Sequence, residues 1–168
     1  MPTPEWVLWI AFWLHMLATV VWIGGLAALA ILILPLARQS LDENAYATFL
    51  GRVHRRLDPI GWISIGLLTA TGLVQMSANP NYDGFLAIDN PWASAILIKH
   101  ILFFLMIGIS AYLTWGLTPN LRRAALLRAR GKDALDEARL KKQEEQLLYA
   151  NLALGIFVLV LTAIARVA

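Results

Sequence analysis

Residues 6–36 read WVLWIAFWLHMLATVVWIGGLAALAILILPL, an apolar stretch in which His15 is the only ionisable side chain. A helix needs about 17 to 25 residues of this character to cross a bilayer. Three more apolar segments follow, at about residues 60–76, 92–117 and 147–167. None of them alternates apolar and polar residues as an outer-membrane strand does. The sequence therefore predicts an all-α integral membrane protein, an up-down four-helix bundle that forms a single domain over residues 1–168.

The composition agrees with this class and narrows the chemistry. Hydrophobic residues make up 59% and charged residues 15% of the chain, and the mean hydropathy is +0.63, outside the range of soluble domains. The chain has no cysteine, which excludes disulfides, thiolate metal sites and covalently attached haem. A metal would have to bind through His, Met, carboxylate or backbone groups. The first apolar run is far longer than the roughly 7 to 15 residues of a signal peptide core, so we expect it to be retained.

The positive charges indicate the orientation in the membrane. Lys and Arg occur in the first and third loops, whereas the second loop has neither and carries Asp83 and Asp89. Because positively charged loops stay in the cytoplasm, loops 1 and 3 are predicted to be cytoplasmic, and both termini to lie outside a cytoplasmic (inner) membrane. The net charge of +3 then reflects orientation, and no nucleic-acid partner is predicted. The basic residues are Arg38, Arg52, Arg55 and Arg56 in the first loop, and Arg122, Arg123, Arg128, Arg130, Lys132, Arg139, Lys141 and Lys142 in the third.

The third loop is predicted to be a cytoplasmic helical extension over about residues 118–146. Gly131 is expected to end one helix, and the acidic stretch from Lys132 to Glu137 to begin another that continues into the fourth span. Such an extension is either a solvated surface or a docking surface for a partner protein or anionic lipid.

Three ionisable groups lie inside the spans at a similar depth. His15 comes about 13 Å after Trp6, and Lys99 and His100 come about 10 to 12 Å after Trp92, at 1.5 Å per residue. Ionisable groups in hydrocarbon usually have a partner, a water-filled cavity or a cofactor. We therefore expect the functional site where these three side chains converge, in the outer half of the bilayer.

Helical periodicity predicts which residues share the interior with these groups. Trp22 follows His15 by seven residues and so points within about 20° of it. Trp6 and Trp13 point the opposite way and suit an aromatic belt at the lipid surface. In an up-down bundle the first and third helices are diagonal, so histidines at one height could offer two axial nitrogens to a metal or haem.

Each of these groups has two interpretations. His15 either forms an interhelical hydrogen bond or binds a cofactor or metal. Lys99 either extends to the headgroups or balances the charge of a haem propionate or an anionic substrate. His100 is either the second ligand or a donor to a backbone carbonyl.

Two polar residues lie before the second apolar segment. His54, at the cytoplasmic interface, is expected to be solvated, with binding of anionic headgroups or propionates as the alternative. Asp58, next to Pro59, is expected to be the N-cap of the second helix.

Four short motifs in order resemble the membrane domain of copper resistance protein D, the CopD type, which is similar in turn to HemJ-type protoporphyrinogen oxidases. The motifs are His15, Trp22-Ile23-Gly24-Gly25-Leu26, Thr69-Ala70-Thr71-Gly72-Leu73 and Ile96-Leu97-Ile98-Lys99. The resemblance implies functional roles for His15 and Lys99. The CopD side implies copper movement across the membrane, and the HemJ side implies a b-type haem and redox chemistry.

Three hypotheses follow for the function. The favoured one is a haem b protein for electron transfer or redox chemistry, in which His15 and His100 ligate iron, Lys99 balances charge and Trp22 lines the cofactor site. The second is copper handling, with His15, Met16, Met76 and Met106 as candidate ligands. The third is a non-catalytic accessory subunit of a larger membrane complex. The expected partners are the lipid bilayer and either other membrane subunits or further copies of the chain.

Overall fold

The computed structural model describes residues 3–82, 84, 86, 88, 90–131 and 137–167, and every regular element within them is helical. The all-α prediction is therefore confirmed for this part of the chain. Two π-helical segments, Ala28–Ile33 and Tyr112–Leu117, continue α1 into α2 and α4 into α5. The α-helices are α1 Glu5–Ala27, α2 Leu34–Ser40, α3 Glu43–Ser77, α4 Pro91–Ala111, α5 Thr118–Ala129 and α6 Glu137–Val167.

Four helical stretches are long and apolar enough to cross a membrane, as the sequence predicts. We call them the first to fourth spans. They comprise Glu5–Ser40, Glu43–Ser77, Pro91–Ala129 and Glu137–Arg166.

Each π-helical segment lies directly before a proline. Pro35 and Pro119 each follow the last π-helical residue by two positions. Proline has no N–H for the carbonyl four residues earlier, and its ring crowds that carbonyl. The wider π-helical turn occurs where the regular α-helical hydrogen-bond register is broken, so the first and third spans continue without a break in the chain direction.

The spans pack as two antiparallel pairs. Between the first and second spans, Gln75 Nε2 donates to the carbonyl of Ala11 over 3.1 Å. Between the third and fourth spans, Asn151 Nδ2 donates to Ser110 Oγ over 2.9 Å. The residues paired in this way rise along one helix and fall along the other, which confirms the up-down arrangement within each pair.

The two pairs meet around apolar clusters. Trp22 of the first span and Met106 of the third span are buried together with Ala18, Ile65 and Leu68. A larger cluster of Leu and Ala side chains lies beyond it, toward the ends of the spans that carry the basic loops. The many exposed Leu, Ile, Phe and Trp side chains on the outer faces suit contact with acyl chains.

The second helix begins much earlier than the sequence analysis predicts. Asp42 is its N-cap, because one carboxylate oxygen accepts hydrogen bonds from the N–H groups of Asn44 and Ala45, each over 2.9 Å. The assignment of Asp58 as N-cap is wrong, since Pro59 lies inside α3. A proline inside a long helix removes one backbone hydrogen bond, and packing of the remaining turns holds the helix together.

Ion pairs connect the helix ends at the basic loops. Arg128 of α5 donates to Glu43 of α3 and to Glu137 of α6, and Arg38 pairs with Glu145. Gly131 follows α5 with a φ of +68°, which confirms the predicted helix stop. The predicted helix start at Lys132–Asp136, and Asp83 and Asp89 of the second loop, lie outside the described residues.

Candidate functional site

His15 projects from the first span toward the second, where it meets Thr71. The Nδ1 atom of His15 lies 2.9 Å from Oγ1 of Thr71. The Thr71 hydroxyl also donates to the carbonyl of Leu67, one turn earlier in its own helix. A hydroxyl has one hydrogen to donate, so it accepts from His15. His15 is therefore the tautomer with a proton on Nδ1 and a lone pair on Nε2.

Gly72 makes room for the imidazole. A Cβ atom placed on this residue would lie 3.5 Å from Cε1 of His15, so the ring rests directly against the backbone of α3. Glycine permits close approach of helices in membranes, where no hydrophobic force drives them together. The Thr71-Gly72 dipeptide thus both hydrogen-bonds and seats the His15 ring.

Lys99 reaches the same region from the third span. It is half-buried on α4, and its ammonium lies close enough to His15 for its charge to act on the imidazole. Within the described residues, Lys99 has no hydrogen-bond or ion-pair partner. The structure therefore brings the predicted residues His15 and Lys99 into one electrostatic environment, which also contains Thr71.

His100 is turned toward its own helix. Its Nδ1 atom lies 2.7 Å from the carbonyl oxygen of Ile96, one turn earlier, and donates to it. This is the backbone contact that the sequence analysis gave as one of two interpretations. In metal sites an imidazole commonly donates to a carbonyl through one nitrogen and binds metal through the other, so this contact is compatible with either interpretation.

Trp22 is a packing residue at the centre of the interior. Its ring lies edge-on to Phe103 of the third span, with 5.7 Å between centroids. On the opposite side, a Cβ on Gly61 of the second span would lie 3.8 Å from its Cδ1 atom. Trp22 thus joins three spans directly on the cytoplasmic-loop side of the His15 region.

The three methionines considered as copper ligands lie in different environments. Met16 is 68% exposed on the outer face of the first span. Met76 is buried with Trp92 and Ala93, and Met106 is fully buried beside Trp22. The structure does not bring these thioethers together around His15.

The sequence analysis missed a buried polar cluster, which consists of His54, Asp58 and Glu144. His54 is buried, so the expectation that it is solvated is wrong. Its Nδ1 lies 3.2 Å from Asp58 Oδ1 and its Nε2 lies 3.1 Å from Glu144 Oε1. Burial follows from the early start of α3, which places His54 on the inner face. The signal was the spacing of Tyr46, Leu50 and His54, four residues apart, which marks one helix face.

A cavity of about 80 Å³ separates this polar cluster from the Trp22 layer. Polar groups of His54, Asp58, Ser110 and Thr114 line part of its wall. The volume is sufficient for a few water molecules, each needing at least about 10 to 15 Å³. Sites for ligands of porphyrin size occupy about 300 to 1,000 Å³, so this cavity does not fit a haem.

The described side chains also limit the kind of metal site. Among residues 3–82, 84, 86, 88, 90–131 and 137–167, no three His, Asp or Glu side chains are grouped so that they could hold a metal ion. His15 is the one imidazole whose neighbours fix an available lone pair. The donor set near it is therefore that of an open site with one strong ligand.

Together these features define a multi-pass helical membrane protein with a polar site between its spans. The family model for copper resistance protein D, CopD, matches residues 51–165, and the chain belongs to this family. The match includes Lys99, His100 and the His54 cluster, whereas His15 and Trp22 precede it. Comparison with curated proteins and with solved structures found no match.

Proposed function

We propose that this CopD-family protein handles copper within the membrane, and that His15 is the residue that binds the ion. The observation that carries the proposal is the hydrogen-bond chain from His15 through Thr71 to the Leu67 carbonyl. This chain leaves the lone pair of Nε2 for a metal, and imidazole is a suitable ligand for copper. Metal-binding histidines commonly have such a fixed partner at the other ring nitrogen.

Copper in this proposal is cargo and is held transiently. A resident copper centre requires several imidazole or sulfur ligands, whereas the methionines here lie apart and no group of three His or acidic side chains occurs among the described residues. The ammonium of Lys99 repels a cation at His15 and so weakens its binding. Weak binding suits an ion that must enter and leave.

Haem b is the second candidate, and Lys99 is the observation that favours it. An ammonium without a partner among the described residues suits an anionic group such as a propionate. His15, with His100 as the other candidate ligand, would supply nitrogen to iron, and the haem would supply electron transfer. The cavity beside Trp22 is too small for a porphyrin, so it does not accommodate this group.

The orientation belongs to the same proposal. The basic first and third loops face the cytoplasm, and both termini lie outside the cytoplasmic membrane. The site at His15 then lies in the half of the bilayer remote from the cytoplasm, where it would meet copper from outside first.

The test is the metal content and the visible spectrum of the purified protein. Full-length protein is isolated in detergent after growth with added copper, and copper and iron per chain are measured by mass spectrometry. We expect copper in the wild type and at least a ten-fold loss in His15→Ala. Met16→Leu, one residue away on the outer face, is the matched control and should retain copper.

Other outcomes would favour the alternatives. A Soret band that shifts on reduction and is lost in His15→Ala would replace copper with haem. Copper content unchanged in His15→Ala would overturn the role of this residue. Protein without metal or colour that co-purifies with large membrane partners would favour the accessory-subunit hypothesis.

A further inference from the structure

Two arginine side chains meet above Gly51 at the ends of the second and third spans that carry the basic loops. Arg55 Nε lies 3.5 Å from the carbonyl oxygen of Gly51. Arg122 of α5 passes over the same residue, with its Nε 4.0 Å from where a Cβ on Gly51 would be. The missing side chain leaves a notch with a guanidinium group on each side.

Neither guanidinium is neutralised within the protein. In the part of the chain that the structure describes, Arg55 and Arg122 form no ion pair, whereas Arg38 and Arg128 each pair with glutamates. Both Arg55 and Arg122 are exposed. Two converging guanidinium groups without carboxylates are the arrangement that binds phosphate oxygens, because each planar group can donate two parallel hydrogen bonds.

The depth of the pair corresponds to lipid headgroups. Arg55 lies five residues before the apolar run of the second span begins at Ile60, and Arg122 lies five residues after the run of the third span ends at Leu117. At 1.5 Å per residue, both lie about 7 to 8 Å outside the apolar region. That zone of a bilayer holds the phosphate groups.

Two tryptophans lie below the arginines in the same groove between the second and third spans. Trp62 follows Arg55 by seven residues, and Trp115 precedes Arg122 by seven, so each lies about two turns deeper on its own helix. Their rings stack, with centroids 4.7 Å apart and planes inclined by 18°. Trp115 is 67% exposed, which presents its face to the lipid side.

We propose that this groove binds one anionic phospholipid, with its phosphate between Arg55 and Arg122 and an acyl chain against the Trp62–Trp115 pair. The arginines supply charge complementarity, and the aromatic pair supplies an apolar contact at acyl-chain depth. A free phosphate would use only the upper half of the site. The proposal is independent of copper or haem binding.

The test is quenching of tryptophan fluorescence by brominated lipid. Full-length protein is reconstituted in phosphatidylcholine bilayers that contain a small fraction of either brominated phosphatidylglycerol or brominated phosphatidylcholine. We expect at least two-fold stronger quenching by the phosphatidylglycerol. The preference should be lost in R55Q/R122Q and kept in R130Q/R139Q, which removes the same charge from exposed arginines of the third loop. W115F should lower the excess quenching.

Three results would overturn the proposal. One is equal quenching by the two lipids in the wild type, and another is a preference that persists in R55Q/R122Q. The third is loss of the preference on adding millimolar inorganic phosphate, which would assign the site to a free anion. Circular dichroism of each variant in the same bilayers verifies that the helices are intact.

Discussion

His54 and Glu144 join the second and fourth spans through a buried ion pair, with 3.1 Å between Nε2 of His54 and Oε1 of Glu144. The other ring nitrogen of His54 contacts Asp58. A ring that donates to two carboxylates carries hydrogen on both nitrogens and is an imidazolium. The interior of the molecule therefore has a charged cross-link where the sequence analysis expected a solvated residue.

Removing Glu144 should destabilise the protein strongly. Glu144→Ala leaves the Nε2–H of a buried imidazolium without its partner, and loss of one member of a buried pair costs about 3 to 5 kcal/mol. The measurement is reversible unfolding in mixed detergent micelles. The adjacent Glu145→Ala breaks the partly exposed pair with Arg38 and should cost less than about 1 kcal/mol. Equal losses in the two variants would contradict the buried cross-link.

Thr71→Val should weaken metal binding while leaving the fold intact. Valine has the shape of threonine but cannot accept from His15 Nδ1, and loss of such a supporting hydrogen bond lowers metal affinity by about 10 to 100-fold. Competition titration with a copper chelator measures the change. Thr71→Ser should restore most of the affinity. Thr69→Val, whose hydroxyl serves only its own helix at Ile65, is the matched control and should have no effect.

Gly72 should tolerate alanine and reject leucine. An alanine Cβ would lie 3.5 Å from His15 Cε1, an ordinary contact, whereas the leucine branch would displace the ring and separate the first two spans. Overpacking of this kind costs about 1 to 3 kcal/mol in unfolding experiments. Gly66→Leu, at an exposed position with nothing within 4 Å, should change stability by less than half as much. A harmless Gly72→Leu would show that His15 does not rest there.

Asp42→Ala should loosen the start of α3. The carboxylate accepts from two backbone N–H groups, and replacing such a cap with alanine costs about 1 kcal/mol. Hydrogen exchange of the amides at Asn44 and Ala45 should accelerate by several-fold. Asp42→Asn retains an acceptor oxygen and should exchange nearly as the wild type does. Unchanged exchange in Asp42→Ala would mean that the helix starts elsewhere.

Asn151→Leu should have a small effect, although this side chain is fully buried. Its Nδ2 donates to Ser110, but its Oδ1 has no partner within the described part of the chain. Hydrogen bonds between helices in membranes contribute only about 0.6 kcal/mol on average, and the unpaired oxygen offsets part of that. Unfolding in mixed micelles should therefore change by less than about 1 kcal/mol. A loss similar to that of Glu144→Ala would show that Asn151 has a further partner.

The apolar spans could be predicted from the sequence because burial in lipid requires long runs of apolar residues, as residues 6–36 show. The inner ends of the spans could not be predicted in the same way. The first 17 residues of α3, Glu43 to Pro59, are rich in arginine and resemble a loop in composition. Their helical state depends on Tyr46, Leu50 and His54 packing against the fourth span, a contact between residues distant in the chain.

The candidate site was predictable in part. Depth and helical direction singled out His15, because both follow from counting residues along one helix. The role of Thr71 depends on the register between two helices, which the sequence of either helix does not specify. The proximity of Trp62 and Trp115 has the same origin, since the stacking is a property of the interface between the second and third spans.

The two π-helical segments show that the first and third spans are counterparts in one repeating design. Each segment begins seven residues before its proline, Pro35 or Pro119, and these prolines are 84 residues apart. His15 and Lys99 are separated by the same 84 residues. Two identical helical hairpins assembled as a dimer would present the same group twice. Fusion of both hairpins in one chain permits asymmetry, so that a neutral electron-pair donor faces a fixed positive charge.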